Sequence, residues 1–162
     1  MSTATRRWRR DHGLYIVEFA LVAAVFMFMV FGAIEVSRLL FTWSALDAIT
    51  QRGARVAAVC QQNHPSIVQY ALFGDSGDSP VVPELGTENI GIVYLDEDGA
   101  AAGGGTRPSY VRVSIVGYQH RVLIPELVAG FVSPLLDAPT FSTTRPAESL
   151  GRNPDTGNDG CF

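Results

Sequence analysis

The 162 residues give room for one compact domain and one apolar anchor, but hardly for two domains. The formal charge of -4 hides an asymmetry: Arg6, Arg7, Arg9 and Arg10 crowd the N-terminus, whereas residues 61–162 carry 12 acidic side chains against 5 arginines. So acidic a region lacks the basic footprint of a nucleic-acid binder, and no nucleic acid is expected among its partners.

From Leu14 to Ile34 the chain is apolar over 21 residues, broken only by Glu18. At a rise of about 1.5 Å per residue, a helix of this length crosses the roughly 30 Å hydrocarbon core of a bilayer. A helix is expected because lipid offers no partner to an unpaired backbone group. The four arginines predict that the N-terminal flank stays in the cytoplasm and the acidic region crosses; in a bacterium this is a single-pass inner-membrane protein with a periplasmic domain. A cleaved secretory signal has the same basic start, but its apolar core runs only about 7–15 residues before a small-x-small site. Here the run is longer, and helical periodicity continues past it.

Val36, Leu39, Leu40, Trp43, Leu46, Ile49, Gly53, Val56, Ala57 and Cys60 recur at three- and four-residue steps, with Arg38, Ser44, Asp47, Gln51, Arg52 and Arg55 between them. No proline falls between residues 14 and 64. One helix of about 47 residues is therefore predicted, apolar all round over 14–34 and amphipathic over 35–60. The amphipathic stripe needs a cover, which the distal domain can supply. In the membrane half, Gly32, Ala33, Ala20, Ala23 and Ala24 permit close approach of another helix.

The region 61–162 reads as α+β. Asn63–Gly74 predicts a short helix with Pro65 at its start. Residues 74–88 read as loop, Ile90–Leu95 as a strand, Asp96–Gly99 as a turn and Gly103–Gly105 as a hairpin tip. Ser109–Val116 alternates, with Val111, Val113 and Ile115 on the buried side. Gly117 reads as a bulge before a strand over Tyr118–Ile124. A short helix over 126–136 and a last strand over 139–145 precede a polar tail ending at Cys161-Phe162. Together these predict a small antiparallel sheet packed on the outer half of the long helix.

Catalytic and metal chemistry find little support. His12, His64 and His120 are scattered without ligand spacing, so no metal or other cofactor is expected. Asp96-Glu97-Asp98-Gly99 and the stretch Asp75–Ser79 resemble fragments of calcium loops but lack the downstream bidentate glutamate. No Gly-x-Ser-x-Gly or phosphate-binding loop occurs, and nothing in the sequence pairs Asp47 or Asp137 with a histidine. Cys60 and Cys161 would be unrelated thiols in a reducing compartment. In an oxidising one they could close a loop of about 100 residues, worth roughly 4–5 kcal/mol in the chain-entropy model.

The specific signal lies at Gly13 and Glu18. A carboxylate deep in the membrane costs about 2.5–3.5 kcal/mol on insertion scales, less near the edge, where it can snorkel. Its neighbours point further. Arg6-Arg-Trp-Arg-Arg-Asp-His-Gly13, then Leu14-Tyr-Ile-Val-Glu18 and an unbroken apolar run, resembles a type IV prepilin. In that family a membrane aspartyl peptidase cuts after the glycine, and the fifth residue of the mature chain is a glutamate. The resemblance implies an α-ammonium at Leu14 and a carboxylate at Glu18, one turn away. In a stack of subunits, one copy's carboxylate can pair with its neighbour's ammonium, so that neither charge is buried alone. Such a cut would remove four arginines and Asp11, taking the formal charge from -4 to -7.

Gly13-Leu-Tyr-Ile-Val-Glu-Phe-Ala-Leu-Val22, Phe31-Gly-Ala-Ile-Glu-Val-Ser-Arg38 and Arg52-Gly-Ala-Arg-Val-Ala-Ala58 together resemble the TadE-like proteins of tight-adherence (Flp-type, type IVc) pilus systems. Tyr110–Tyr118, Leu123-Ile-Pro125, Phe141–Arg145 and Glu148 are similar to that family's final strands. The resemblance implies a pilin-like α+β fold in four parts: a prepilin leader (1–13), a transmembrane half-helix (14–34), an amphipathic half-helix (35–60) and a periplasmic domain (61–162). It implies a structural minor pilin or pseudopilin, not an enzyme, serving pilus biogenesis, adherence and biofilm formation. Its partners would be other pilins, the prepilin peptidase, the inner-membrane assembly machinery and the lipid bilayer. A pseudopilin of a type II secretion machine and a membrane-anchored periplasmic binding domain are the alternatives.

Overall fold

The computed structural model describes residues 8–74, 77–102, 107–123, 135–148 and 150, with side chains from residue 14 onward. Its first element, α1, runs without a break from Trp8 to Val59, 52 residues. It begins before the predicted start at Leu14. A lone glycine at position 13 costs a helix only about 1 kcal/mol relative to alanine, too little to end one flanked by good helix formers. The helix stops before Pro65, which cannot continue it, and Asn63 adopts a left-handed φ of 60°.

The chain divides into two units, Met1–Leu39 and Leu40–Phe162. In the first, no described side chain is buried. Its apolar run gives way to charge at Glu35 and Arg38, which form an ion pair at 3.2 Å one turn apart. Beside them Ser37 Oγ donates to the Ala33 carbonyl at 2.8 Å.

In the second unit the helix buries Thr42, Leu46, Ile49, Thr50, Gly53, Ala54, Ala57 and Ala58. A short helix, α2 (Ser66–Leu72), follows, then a 3-10 turn over Thr87–Asn89. Three strands, β1 (Ile90–Leu95), β2 (Tyr110–Ile115) and β5 (Ser142–Pro146), form an antiparallel sheet in the order β1-β2-β5. On the central strand Val111, Val113 and Ile115 are buried while Tyr110 and Arg112 are exposed, the predicted alternation.

Two apolar clusters share this interior. Leu46 and Ile49 pack with Ala71, Leu72, Val82, Leu85, Ile115 and Tyr118. Ala54, Ala57, Ala58 and Cys60 pack with Ile67, Val111 and Val113. Small residues are needed there because neighbouring side chains press close. A Cβ placed on Gly53 would lie 3.1 Å from Ala71 Cβ and 3.2 Å from Val113 Cγ1. The arginine-glycine-alanine block of residues 52–58 is thus the flat floor on which β2 and α2 rest. Polar ties complete the packing: Thr50 and Thr143 hydroxyls meet at 3.0 Å, and the Glu148 amide donates to the Ala58 carbonyl at 2.9 Å.

The α+β class holds, with four corrections of detail. There are two sheets, not one: β3 (Gln119–Arg121) pairs with β4 (Leu135–Asp137) in a separate ribbon. Gly117, at φ +68°, is not a bulge inside a strand; it is a left-handed corner between the two sheets, a backbone shape that glycine adopts without strain. Of the helix predicted over 126–136, residues 126–134 lie outside the described residues, and Leu135 and Leu136 are strand. An apolar run of that length fits either element by periodicity alone. The final strand covers Ser142–Pro146, shifted from the predicted 139–145. Asp75, Ser76 and Gly103–Gly105 lie outside the described residues.

Candidate assembly surface

The Gly13–Leu14 peptide lies inside the helical backbone of α1. One turn on, Glu18 is exposed, as are Leu14, Tyr15, Ile16, Val17, Phe19, Leu21 and Val22 around it. The exposed series continues through Val25, Phe26, Met27, Phe28, Met29, Phe31 and Ile34. None of the most apolar 18-residue stretch is buried, and the helix is long and apolar enough to cross a membrane. Water does not tolerate so large a contiguous apolar surface, so lipid or other helices must cover it. Within that sleeve Glu18 is the one ionisable group between Tyr15 and Glu35.

The other singled-out residues have local tasks. His64 Nδ1 accepts from the Ser66 amide at 3.3 Å, tying down the start of α2. His120 is buried in β3. His12 lies where side chains are not described. Asp47 accepts from Gln51 at 2.9 Å and Asp137 from Gln119 at 2.8 Å. Asp96 Oδ1 accepts from the Asp98 and Ala100 amides at 3.1 and 2.9 Å, which makes this stretch the predicted turn. Among the described residues no three His, Cys, Asp or Glu side chains gather as a metal site.

Cys60 is buried at the end of α1, and no cysteine among the described residues is a free thiol. Cys161 lies outside them. Tyr94, half-buried against the same cluster, accepts a hydrogen bond from the Asn63 amide at 3.3 Å. Burial raises its phenol above the ordinary value of 10.0, and the hydrogen bond from Asn63 offsets part of that rise.

One feature escaped sequence reasoning. The Arg52 guanidinium stacks over the Phe73 ring at 4.4 Å and lies 5.6 Å from the Tyr70 centroid. Tyr70 and Phe73 stand three apart at the end of α2, a spacing that puts both rings on one side. Their meeting with Arg52 is tertiary and leaves no local pattern.

A long exposed apolar helix followed in sequence by small antiparallel sheets is a pilin-like α+β fold. The family model described as TadE-like protein matches residues 13–55, and over that segment the chain is similar to this family. The match starts at Gly13 and takes in the first two sequence blocks named above and the start of the third. No curated protein and no solved structure is similar enough to the chain to count as a match.

Proposed function

We propose that this chain is a minor pilin or pseudopilin of a tight-adherence (Tad/Flp, type IVc) pilus, a structural assembly subunit and not an enzyme. It sits in the bacterial inner membrane, N-terminus in the cytoplasm and residues 61–162 in the periplasm. A prepilin peptidase cuts after Gly13, and the mature helix then packs with other pilins in the inner-membrane assembly machinery. The observation that carries this reading is Glu18: an exposed carboxylate inside an apolar sleeve, one turn from Leu14, within the TadE-like segment. The helical setting of the Gly13–Leu14 bond gives the glycine a further use. The peptidase must unwind the helix to reach that bond, and glycine's low helix propensity, about 1 kcal/mol below alanine, eases the opening. The periplasm is oxidising, so the reading also pairs Cys60 with Cys161.

Mass spectrometry of the membrane-bound mature protein should find Leu14 at its N-terminus. An intact residue 1 in cells with active prepilin peptidase sinks the proposal. Glu18→Ala should insert into the membrane normally but reduce piliation; normal pili from that mutant count against the charge pairing.

A further inference from the structure

The exposed apolar series of α1 does not end with the sleeve at Ile34. Around and beyond the Glu35–Arg38 ion pair, Val36, Leu40 and Phe41 are 56%, 57% and 60% exposed. At about 100° of turn per residue these three span an arc of roughly 140°, and Glu35 and Arg38 lie on the opposite side of the helix. Ser37 falls within the arc, but its hydroxyl is spent on the Ala33 carbonyl at 2.8 Å. Toward the N-terminus the arc runs on through Ala33, Met29 and Phe26, all exposed. Toward the C-terminus it stops at Ser44, one turn past Leu40, with Asp47 after it.

The two sides of α1 therefore have different apolar lengths. On the side of Glu35 polarity begins after Ile34, 21 residues from Leu14 and about 31 Å, which fits the roughly 30 Å hydrocarbon core of a bilayer. On the side of Val36 the apolar surface runs from Leu14 to Phe41, 28 residues and about 42 Å, the thickness of a bilayer with its headgroups. A helix with one side too long for the core keeps that side covered by tilting. Trp43 stands beside the end of the arc, partly exposed, and indole rings favour the lipid–water boundary. Lipid suits this face better than another helix does. The face is continuous with the sleeve and is made of bulky residues, whereas helices that pack together in membranes present small ones.

We propose that α1 leaves the membrane at a tilt, so that Val36, Leu40 and Phe41 rest in the boundary between acyl chains and headgroups while Glu35 and Arg38 lie on the side turned away from lipid. This rests on α1 crossing a membrane. It needs neither cleavage after Gly13, nor Glu18, nor a pilus.

The test uses the full-length chain in vesicles of phosphatidylethanolamine and phosphatidylglycerol. An environment-sensitive fluorescent amino acid replaces Phe26, Val36, Arg38, Leu40, Phe41 or Ser44, one at a time, and spin-labelled lipids carry the quencher either near the headgroup or deep in the acyl chain. The Phe26 position should be quenched best by the deep label. Val36, Leu40 and Phe41 should be quenched by the shallow label, and Arg38 and Ser44 hardly at all. Leu40 lies further along the chain than Arg38, so stronger quenching at Leu40 than at Arg38 is the signature of the tilt. Quenching that falls steadily from Val36 to Phe41, or that is no greater at Leu40 and Phe41 than at Ser44, overturns the proposal and leaves the membrane crossing standing. Quenching at Leu40 and Phe41 that appears only when the protein is diluted in lipid means that a second copy covers the face, and overturns it too. A Phe26 position that neither label quenches removes the membrane crossing itself, and the proposal with it.

Discussion

The two halves of α1 use apolar residues in opposite ways. The first half carries the bulkier ones, Phe19, Phe26, Phe28 and Phe31, and leaves them all exposed. The second half buries Ala54, Ala57, Ala58 and Gly53 beneath a sheet. Hydrophobicity alone therefore does not decide what is buried; whether other elements of the fold pack over the position does. A lipid-facing helix wants volume and area, whereas one under a sheet wants a flat floor.

The contrast breaks most sharply at Leu46 and Phe26. Leu46 is fully buried between α2, the loop at Val82 and Leu85, and β2. Leu46→Ala removes three carbons from a packed interior and should lower stability by about 2–5 kcal/mol. Phe26→Ala removes a larger side chain from an exposed position and should leave the unfolding of the Leu40–Phe162 unit unchanged. Thermal unfolding of the detergent-solubilised chain, followed by near-UV circular dichroism, separates them. Equal losses from the two would refute the division.

Glycines give a sharper version of the same comparison. Gly53→Leu must push Ala71 and Val113 aside, and overpacking of this kind costs about 1–3 kcal/mol. Gly53→Ala places only the Cβ, whose 3.1 and 3.2 Å contacts roughly offset a helix-propensity gain of about 1 kcal/mol, so its net effect should be small. Gly32 has nothing within 4 Å of an added Cβ, so Gly32→Leu should not lower the stability of the isolated chain. If it lowers piliation all the same, the space at Gly32 is reserved for another helix.

Much of this was legible in the residues. The strand over Ile90–Leu95, the buried series Val111, Val113, Ile115 and the unbroken helix follow from periods of two and of three to four residues. The floor of the sheet was only half read. The stripe named Leu46, Ile49, Gly53, Ala57 and Cys60, all buried, but missed Thr42, Thr50, Ala54 and Ala58. Periodicity weighs bulk, and these positions are chosen for smallness or for a hydroxyl that finds Thr143. Val36 and Leu40, read as part of the same stripe, are exposed. The second sheet was hidden because Leu135 and Leu136 pair with residues 14 or more positions earlier, a contact no local window sees. Of the candidate surface, Gly13, Leu14 and Glu18 were singled out by the resemblance to prepilins, while the stacking of Arg52 on Tyr70 and Phe73 was invisible until α2 folded back.

The smallest effect belongs to Tyr94, where the outer half of α1 ends. Its phenol is raised above 10.0 chiefly by burial, so the neutral form is favoured in the fold relative to the unfolded chain. Below that value the phenol is neutral in both states and its contribution to stability is fully present. As pH rises past it, the unfolded chain ionises first and stability falls, until the folded phenol ionises as well. The full chain should therefore lose stability between pH 10.0 and the higher folded value, and Tyr94→Phe should remove that part of the loss. At neutral pH the same variant leaves the Asn63 amide without its acceptor, costing about 1 kcal/mol. Absorbance at the tyrosinate band, titrated in parallel for both proteins, gives the check. The difference between them is the ionisation of Tyr94 alone, and a midpoint at or below 10.0 would mean that the hydrogen bond from Asn63 outweighs burial at the end of the helix.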